Sequence, residues 1–210
     1  MTTDTAGTRT PDLPAARPGR PRTEGHDERI LDAALALVDR DEAVTVSAVV
    51  ALSGVSRAAL YRRWPSMNDL IAAALDRGRA DIVIDTSGDV KEAIVGVMFH
   101  HQVASRGGGF SERRFRRRLA LVMENRELQQ AYWTSHVSRR RVAIASALQV
   151  AVDRGQLRGD LDLEACIDAI NGVYYYQAVV RGSSLDDRET LRRCREAFEV
   201  VWRGMSAGEG

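Results

Sequence analysis

From Asp27 onward the apolar residues of this chain recur at three- and four-residue steps, the period of helices that bury one face. Ile30, Leu31, Ala34, Leu37 and Val38 mark the first stripe. Thr45 reads as an N-cap and predicts a second helix through about Leu52. Ser53-Gly54-Val55 is a tight turn, and Ser56 can cap a third helix. Trp64-Pro65 ends that helix, because the residue before proline is pushed out of the α region. Ser66 then caps a fourth, with Asp69 in the acidic position of a capping box. Leu70, Ile71, Ala74 and Leu75 carry it to about Ile82.

Further amphipathic helices are expected at about 89–105, 110–124 and 127–154. "DTSGD" (85–89), "RGGG" (106–109) and "ENRE" (124–127) separate them. "RGQLRGDLD" (154–162) is a turn, and two last helices span about 162–181 and 186–205, broken by "RGSSLDD". No alternating strand pattern and no internal repeat is present, so the expected fold class is all-α. Residues 1–26 are rich in Thr, Pro, Gly and Arg, almost without large apolar residues, and are expected as a flexible basic arm. Residues 27–75 and 76–210 then form two helical domains.

Composition narrows the class. With 44% hydrophobic and 28% charged residues, the 210-residue chain suits a water-exposed protein with a real core. No stretch is long and apolar enough to cross a bilayer, and the first residues lack the apolar run of a signal peptide. A cytoplasmic protein without membrane partner is the expectation. Cys166 and Cys194 lie far apart in apolar helical patterns, which reads as buried free thiols; no zinc spacing is present. The net charge of +1 announces no nucleic-acid binder, so any basic surface must be local. Lys91 is the only lysine, and arginine placement carries more information than arginine number.

The placement is informative at residues 53–70, "SGVSRAALYRRWPSMNDL". Two short helices joined by a glycine turn, with a preceding helix to bury them, make a helix-turn-helix. The chain must reverse within a few residues, and a positive φ at Gly54 is cheap only for glycine. Val55, Leu60 and Trp64 can pack toward the first helix. Arg57 and Tyr61, four apart, share another face. A small polar and alanine surface is left for a major groove, flanked by arginines for phosphates.

In this order the elements closely resemble the DNA-binding domain of the tetracycline-repressor (TetR) family. The family's pattern appears as Thr45, Val50-Ala51, Ser53-Gly54-Val55-Ser56, Leu60-Tyr61, Trp64, Ser66 and Leu70, over residues 27–75. The later helices are similar to the family's ligand-binding and dimerising domain in layout and in the "RGQL…DLDLE" turn. The resemblance implies a DNA-binding transcriptional regulator, most simply a repressor released from a palindromic double-stranded operator by a small hydrophobic effector. Thr45, Tyr61 and Arg63 look like phosphate contacts, and Ser56, Arg57 and Ala58 sit where the family meets base edges. The family's usual lysine at the start of helix four is Met67 here, so affinity leans more on Arg62, Arg63 and the arm.

Other features carry two readings each. "RPGRPR" (17–22) is a solvated tail or an arm whose Arg20 and Arg22 enter a minor groove. "RRFRRR" (113–118) is a solvated helix face or a second patch for nucleic acid or an acidic partner. His100 and His101 point about 100° apart on a helix and do not chelate together readily, so a core or pocket-lining place is expected; His26 and His136 are isolated. "VYYYQ" (173–177) is a ligand wall or an interface. No phosphate loop, nucleophile elbow or ordered acid/base pair is present, so no enzyme and no cofactor are expected. A ligand-independent DNA-binding protein of the same fold is the alternative function.

Homodimerisation is expected through residues 162–205. Leu191, Cys194, Phe198, Val201, Trp202 and Met205 form one apolar stripe, and Ile167, Ile170, Val173 and Tyr174 another. Two copies of the pair would make a four-helix interface. The resemblance places an effector cavity among the helices at 89–154, where Phe99, Val103, Met123, Tyr132 and Trp133 are the expected ligand-binding residues; Val97, Met98 and Val122 add apolar surface there.

Overall fold

The computed structural model describes residues 25–77, 81–100 and 112–208. Helix α1 spans His26–Asp39, α2 Val46–Ser53, α3 Arg57–Arg63 and α4 Met67–Asp76. After a linker come α5 (Val90–Val95), continued by a π-helical turn at Gly96–His100, and α6 (Glu112–Glu124). Helix α7 (Arg126–Tyr132), a π turn at Trp133–Val137 and α8 (Ser138–Asp153) run on as one rod. Helix α9 (Leu163–Tyr175) with a π turn at Tyr176–Val180, and α10 (Arg188–Met205), complete the fold. Among the described residues there is no strand, only an isolated bridge between Leu157 and Ser206. The expected arm with Arg20 and Arg22, and also His101, "RGGG" and Val103, lie outside the described residues.

The expected caps hold the helix starts. Thr45, Ser56 and Ser66 accept the N–H of Ala48, Ala59 and Asp69 at 3.2, 3.3 and 3.1 Å. The hydroxyl of Ser66 also donates to the Asp69 carboxylate at 2.7 Å. Gly54 sits at φ 65°, the left-handed conformation its turn requires. Asn125, Asp162 and Asp187 cap α7, α9 and α10 in the same way.

Three apolar clusters follow from these elements. Ile30, Ala34, Leu37, Val49, Val55, Leu60, Leu70 and Ala74 form the N-terminal core, with Trp64 and Met67 packed against it. Val38, Ala72, Leu75, Val122, Leu128 and Tyr132 form a second cluster that joins the two halves. The largest holds Ile94, Phe99, Leu148, Ile167, Ile170, Tyr174, Phe198 and Trp202. Helix α4 contributes Leu70 and Ala74 to the first cluster and Ala72 and Leu75 to the second. A helix apolar on two faces is one sandwiched between layers.

Two expectations change. Helix α4 stops at Asp76 rather than near Ile82, because Arg77 takes an extended ψ of 136°. The guanidinium of Arg77 is bound by Asp32 of α1, while Asp76 is held by the second half of the molecule. Consecutive side chains pulled apart, followed by Gly78, a weak helix former, end the helix there. The stripes expected to meet a second copy are instead used inside the chain. Ile167, Ile170, Tyr174, Cys194, Phe198, Trp202 and Met205 are all buried in its own core.

Candidate nucleic-acid interface and its coupling to the second half

Helix α3 is short, yet its inner side is fixed. Ala59 and Leu60 are buried against α1, Val55 anchors the turn, and Ser53 Oγ accepts the N–H of Val55 at 3.2 Å. That anchoring leaves Ser56, Arg57, Ala58, Tyr61, Arg62 and Arg63 exposed, and Thr45 exposed at the start of α2. The guanidinium carbon of Arg57 stands 5.7 Å from the centre of the Tyr61 ring, a cation–π distance that orders both side chains. Arg63 Nε lies 3.2 Å from Asp27 Oδ1 on α1, a surface pair open to solvent on both sides. Arg62 has no partner among the described residues. The hydroxyls of Thr45 and Ser56 accept from their own helices and keep a proton to donate.

The set predicted for ligand does not gather into one lining. Phe99 is buried, 5.6 Å from the Tyr174 ring and 6.2 Å from that of Phe198. Tyr132 is buried in the cluster that joins the halves. Met123 is 73% exposed and Trp133 49%, the latter under the guanidinium of Arg141 at 5.5 Å. Met123 follows buried Val122 by one residue and so turns about 100° away from it. Trp133 opens a π turn, which shifts the phase that an α-helical reading assumes.

Sequence reasoning missed how the halves are joined. The "RRFRRR" stretch is not a fully solvated face. Arg114 donates to Asp39 of α1 through Nε at 2.8 Å and Nη2 at 2.5 Å. Arg117 reaches Asp41 at 2.7 Å, and Arg116 reaches Glu112 and the Gly182 carbonyl. Helix α4 is held at both ends. Asn68 donates to Glu127 at 3.0 Å and accepts from Asn125 at 3.1 Å; Asp76 contacts His136 and, at 2.7 Å, Arg139. Burial works against the Asp76 carboxylate, but the His136 hydrogen bond and the charges of His136, Arg139 and Arg140 hold its pKa below the ordinary value. The signal was present only as scattered single polar and charged residues, 57 to 76 positions apart in the chain.

Comparison with known proteins agrees with this geometry. A family model described as bacterial regulatory proteins, tetR family, matches residues 30–74. A second, the tetracyclin repressor-like C-terminal domain, matches 109–197, and together they span more than half of the chain. The HTH-type transcriptional regulator YdeS of Bacillus subtilis is 28% identical over 191 residues, covering 87% of this chain and 93% of that protein. A TetR transcriptional regulator from Agrobacterium tumefaciens has the same fold, with a TM-score of 0.61 at 18% identity over 87% of this chain and 95% of that one. SmeT, the repressor of the Stenotrophomonas maltophilia multidrug efflux pump SmeDEF, gives 0.55 at 22% identity over 88% and 91%.

Proposed function

Because the chain belongs to the tetracycline-repressor family of transcriptional regulators, we propose that it acts as a homodimeric repressor that a small effector releases from a two-fold symmetric operator. The observation that carries the reading is α3, whose buried Ala59 and Leu60 fix a helix presenting Arg57, Ala58, Tyr61, Arg62 and Arg63 to solvent. Arg57, with Ser56 and Ala58, reads base edges; Thr45, Tyr61, Arg62 and Arg63 hold phosphates, and Arg20 and Arg22 of the arm enter the adjacent minor groove. The site of action is the cytoplasm, where the DNA is; among the described residues no helix is long and apolar enough to cross a membrane. The likeness to SmeT supports a repressor.

Dimerisation uses the outward faces of α9 and α10. Ala165, Ala169, Gly172, Tyr176 and Val179 form an exposed stripe at four- and three-residue steps, and exposed Val200 and Gly204 with half-buried Ala197 form another. Small residues let two such pairs approach closely as an isologous four-helix contact. Effector binding acts on α4. Both of its ends are tied to the α7–α8 rod, so a ligand that favours a shifted arrangement of that rod tilts α4 and changes the spacing of the two α3 helices. It does so only by its differential affinity for the two states. Of the expected ligand residues, Tyr132 is buried in the cluster that rod shares with α4.

The test is a titration of effector into protein with and without operator, the operator being selected from random DNA and the effector screened by release. Effector and operator should lower each other's affinity by the same factor. Equal effector affinities in both titrations would leave a ligand-independent DNA-binding protein of the same fold.

A further inference from the structure

Helix α6 shows what its arginines are for by their partners. Arg113 is exposed to water, and Arg114, Arg116 and Arg117 each pair with a carboxylate. Arg118 differs. It is 9% exposed, and no carboxylate pairs with it among the described residues. Its Nη1 donates to the Tyr132 hydroxyl at 3.0 Å, and its guanidinium carbon lies 4.9 Å from the Phe115 ring and 5.5 Å from the Tyr132 ring. A neutral acceptor and two ring faces offset only part of the cost of burying a cation. Asp76 is shared by His136 and Arg139, and Asp81, on the surface, also faces Arg139. Burial pushes Arg140 below the usual guanidinium value, against the pull of Asp76.

We infer that the effector is an organic anion, a carboxylate on an apolar or aromatic body, whose acid group pairs with Arg118. This rests on the reading of the chain as an effector-released regulator. The guanidinium offers a planar fork that matches a carboxylate, and Phe115 and Tyr132 supply flat apolar surface for the body beside it. The position also connects to α4. The Tyr132 ring lies 5.0 Å from that of His136, which holds Asp76. An acid that takes the fork draws Arg118 away from the Tyr132 hydroxyl, one ring contact from the clasp on α4.

Calorimetric titration of the full chain with matched pairs, decanoate against decanol and naphthylacetate against naphthylethanol, tests this in wild type, Arg118→Met and Arg118→Lys. The acid of at least one pair should bind wild type about ten-fold or more tightly than its alcohol. Arg118→Met should abolish that preference and Arg118→Lys should keep part of it. Equal binding of acid and alcohol overturns the anion assignment and leaves the effector reading intact; binding by no compound of either class removes both. A ligand-free measurement decides separately. The urea midpoint of Arg118→Met should be unchanged or raised, since an apolar side chain of similar volume relieves a buried charge kept for a ligand. A lowered midpoint makes Arg118 a structural residue and overturns the inference whatever the probes do.

Discussion

Helices α3 and α6 are both rich in arginine, and they use the same side chain in opposite ways. On α3 the arginines stand in solvent, because its buried side is only alanine and leucine and, among the described residues, Asp27 alone pairs with them. On α6 they are drawn inward by Asp39 of α1, by Asp41 in the turn after it, by Glu112, and by the Gly182 carbonyl. One set is left with charge to offer a phosphate; in the other, Arg114, Arg116 and Arg117 have theirs met by carboxylates within the chain. Arginine density alone therefore does not locate a nucleic-acid surface. The supply of nearby acceptors does.

The contrast can be broken most severely at its anchor. Leu60→Ala should destabilise the N-terminal half by about 3 kcal/mol, because Leu60 is completely buried, and operator binding should fall with it. Urea unfolding followed by circular dichroism measures this; a midpoint unchanged from wild type would mean that α3 is not held by its core contacts. Asp76→Asn comes next. It takes the charged carboxylate from buried His136, and from Arg139, which is exposed and keeps Asp81, at a cost of about 3 kcal/mol. The folded pKa of Asp76 is lowered, so its stabilisation is complete above the ordinary carboxylate range and fades as pH falls through the lowered value. The gap in urea midpoint between wild type and Asp76→Asn should thus be widest near neutrality and close in acid. A gap that widened in acid would reverse the assignment.

Smaller effects sharpen the contrast. Tyr61→Phe should weaken all DNA sequences alike, since a phosphate carries no base information; competition between operator and unrelated DNA gives the ratio, which should not move. Arg62→Ala should reduce the log–log salt slope of operator affinity by about 0.9, the share of one phosphate. Arg117→Ala should leave that slope unchanged and alter stability by no more than about 1 kcal/mol, as its partner Asp41 is exposed. If the two slopes responded the other way round, α6 rather than α3 would face the DNA.

The DNA-binding half was legible because its signals are local. Thr45, Ser56 and Ser66 cap helices within three residues of themselves, Gly54 marks its own turn, and Val55 and Leu60 show their faces by spacing. The second half was less so. The stripe on α10 read correctly as apolar and buried, yet spacing says nothing about which surface covers it, and α9 within the same chain does. The dimer face proposed instead is made of Ala165, Ala169 and Gly172, residues too small to register as a stripe. The π turns at 96–100, 133–137 and 176–180 shift side chains off the α-helical phase, so Phe99 and Trp133 fall in different places although both read as pocket residues. The clasps on α4 depend on pairs such as Asn68 with Glu127, which no local window contains.

The central claim, that α3 of a symmetric dimer reads DNA, is tested most directly by selecting bound sequences from random DNA with wild type and with Arg57→Ala. Wild type should yield a two-fold symmetric motif with half-sites spaced by the helical repeat. Arg57→Ala should relax one base position in each half-site, at a cost of about 1–3 kcal/mol for the lost contact. A motif without symmetry, or a preference that Arg57→Ala leaves untouched, would contradict the account.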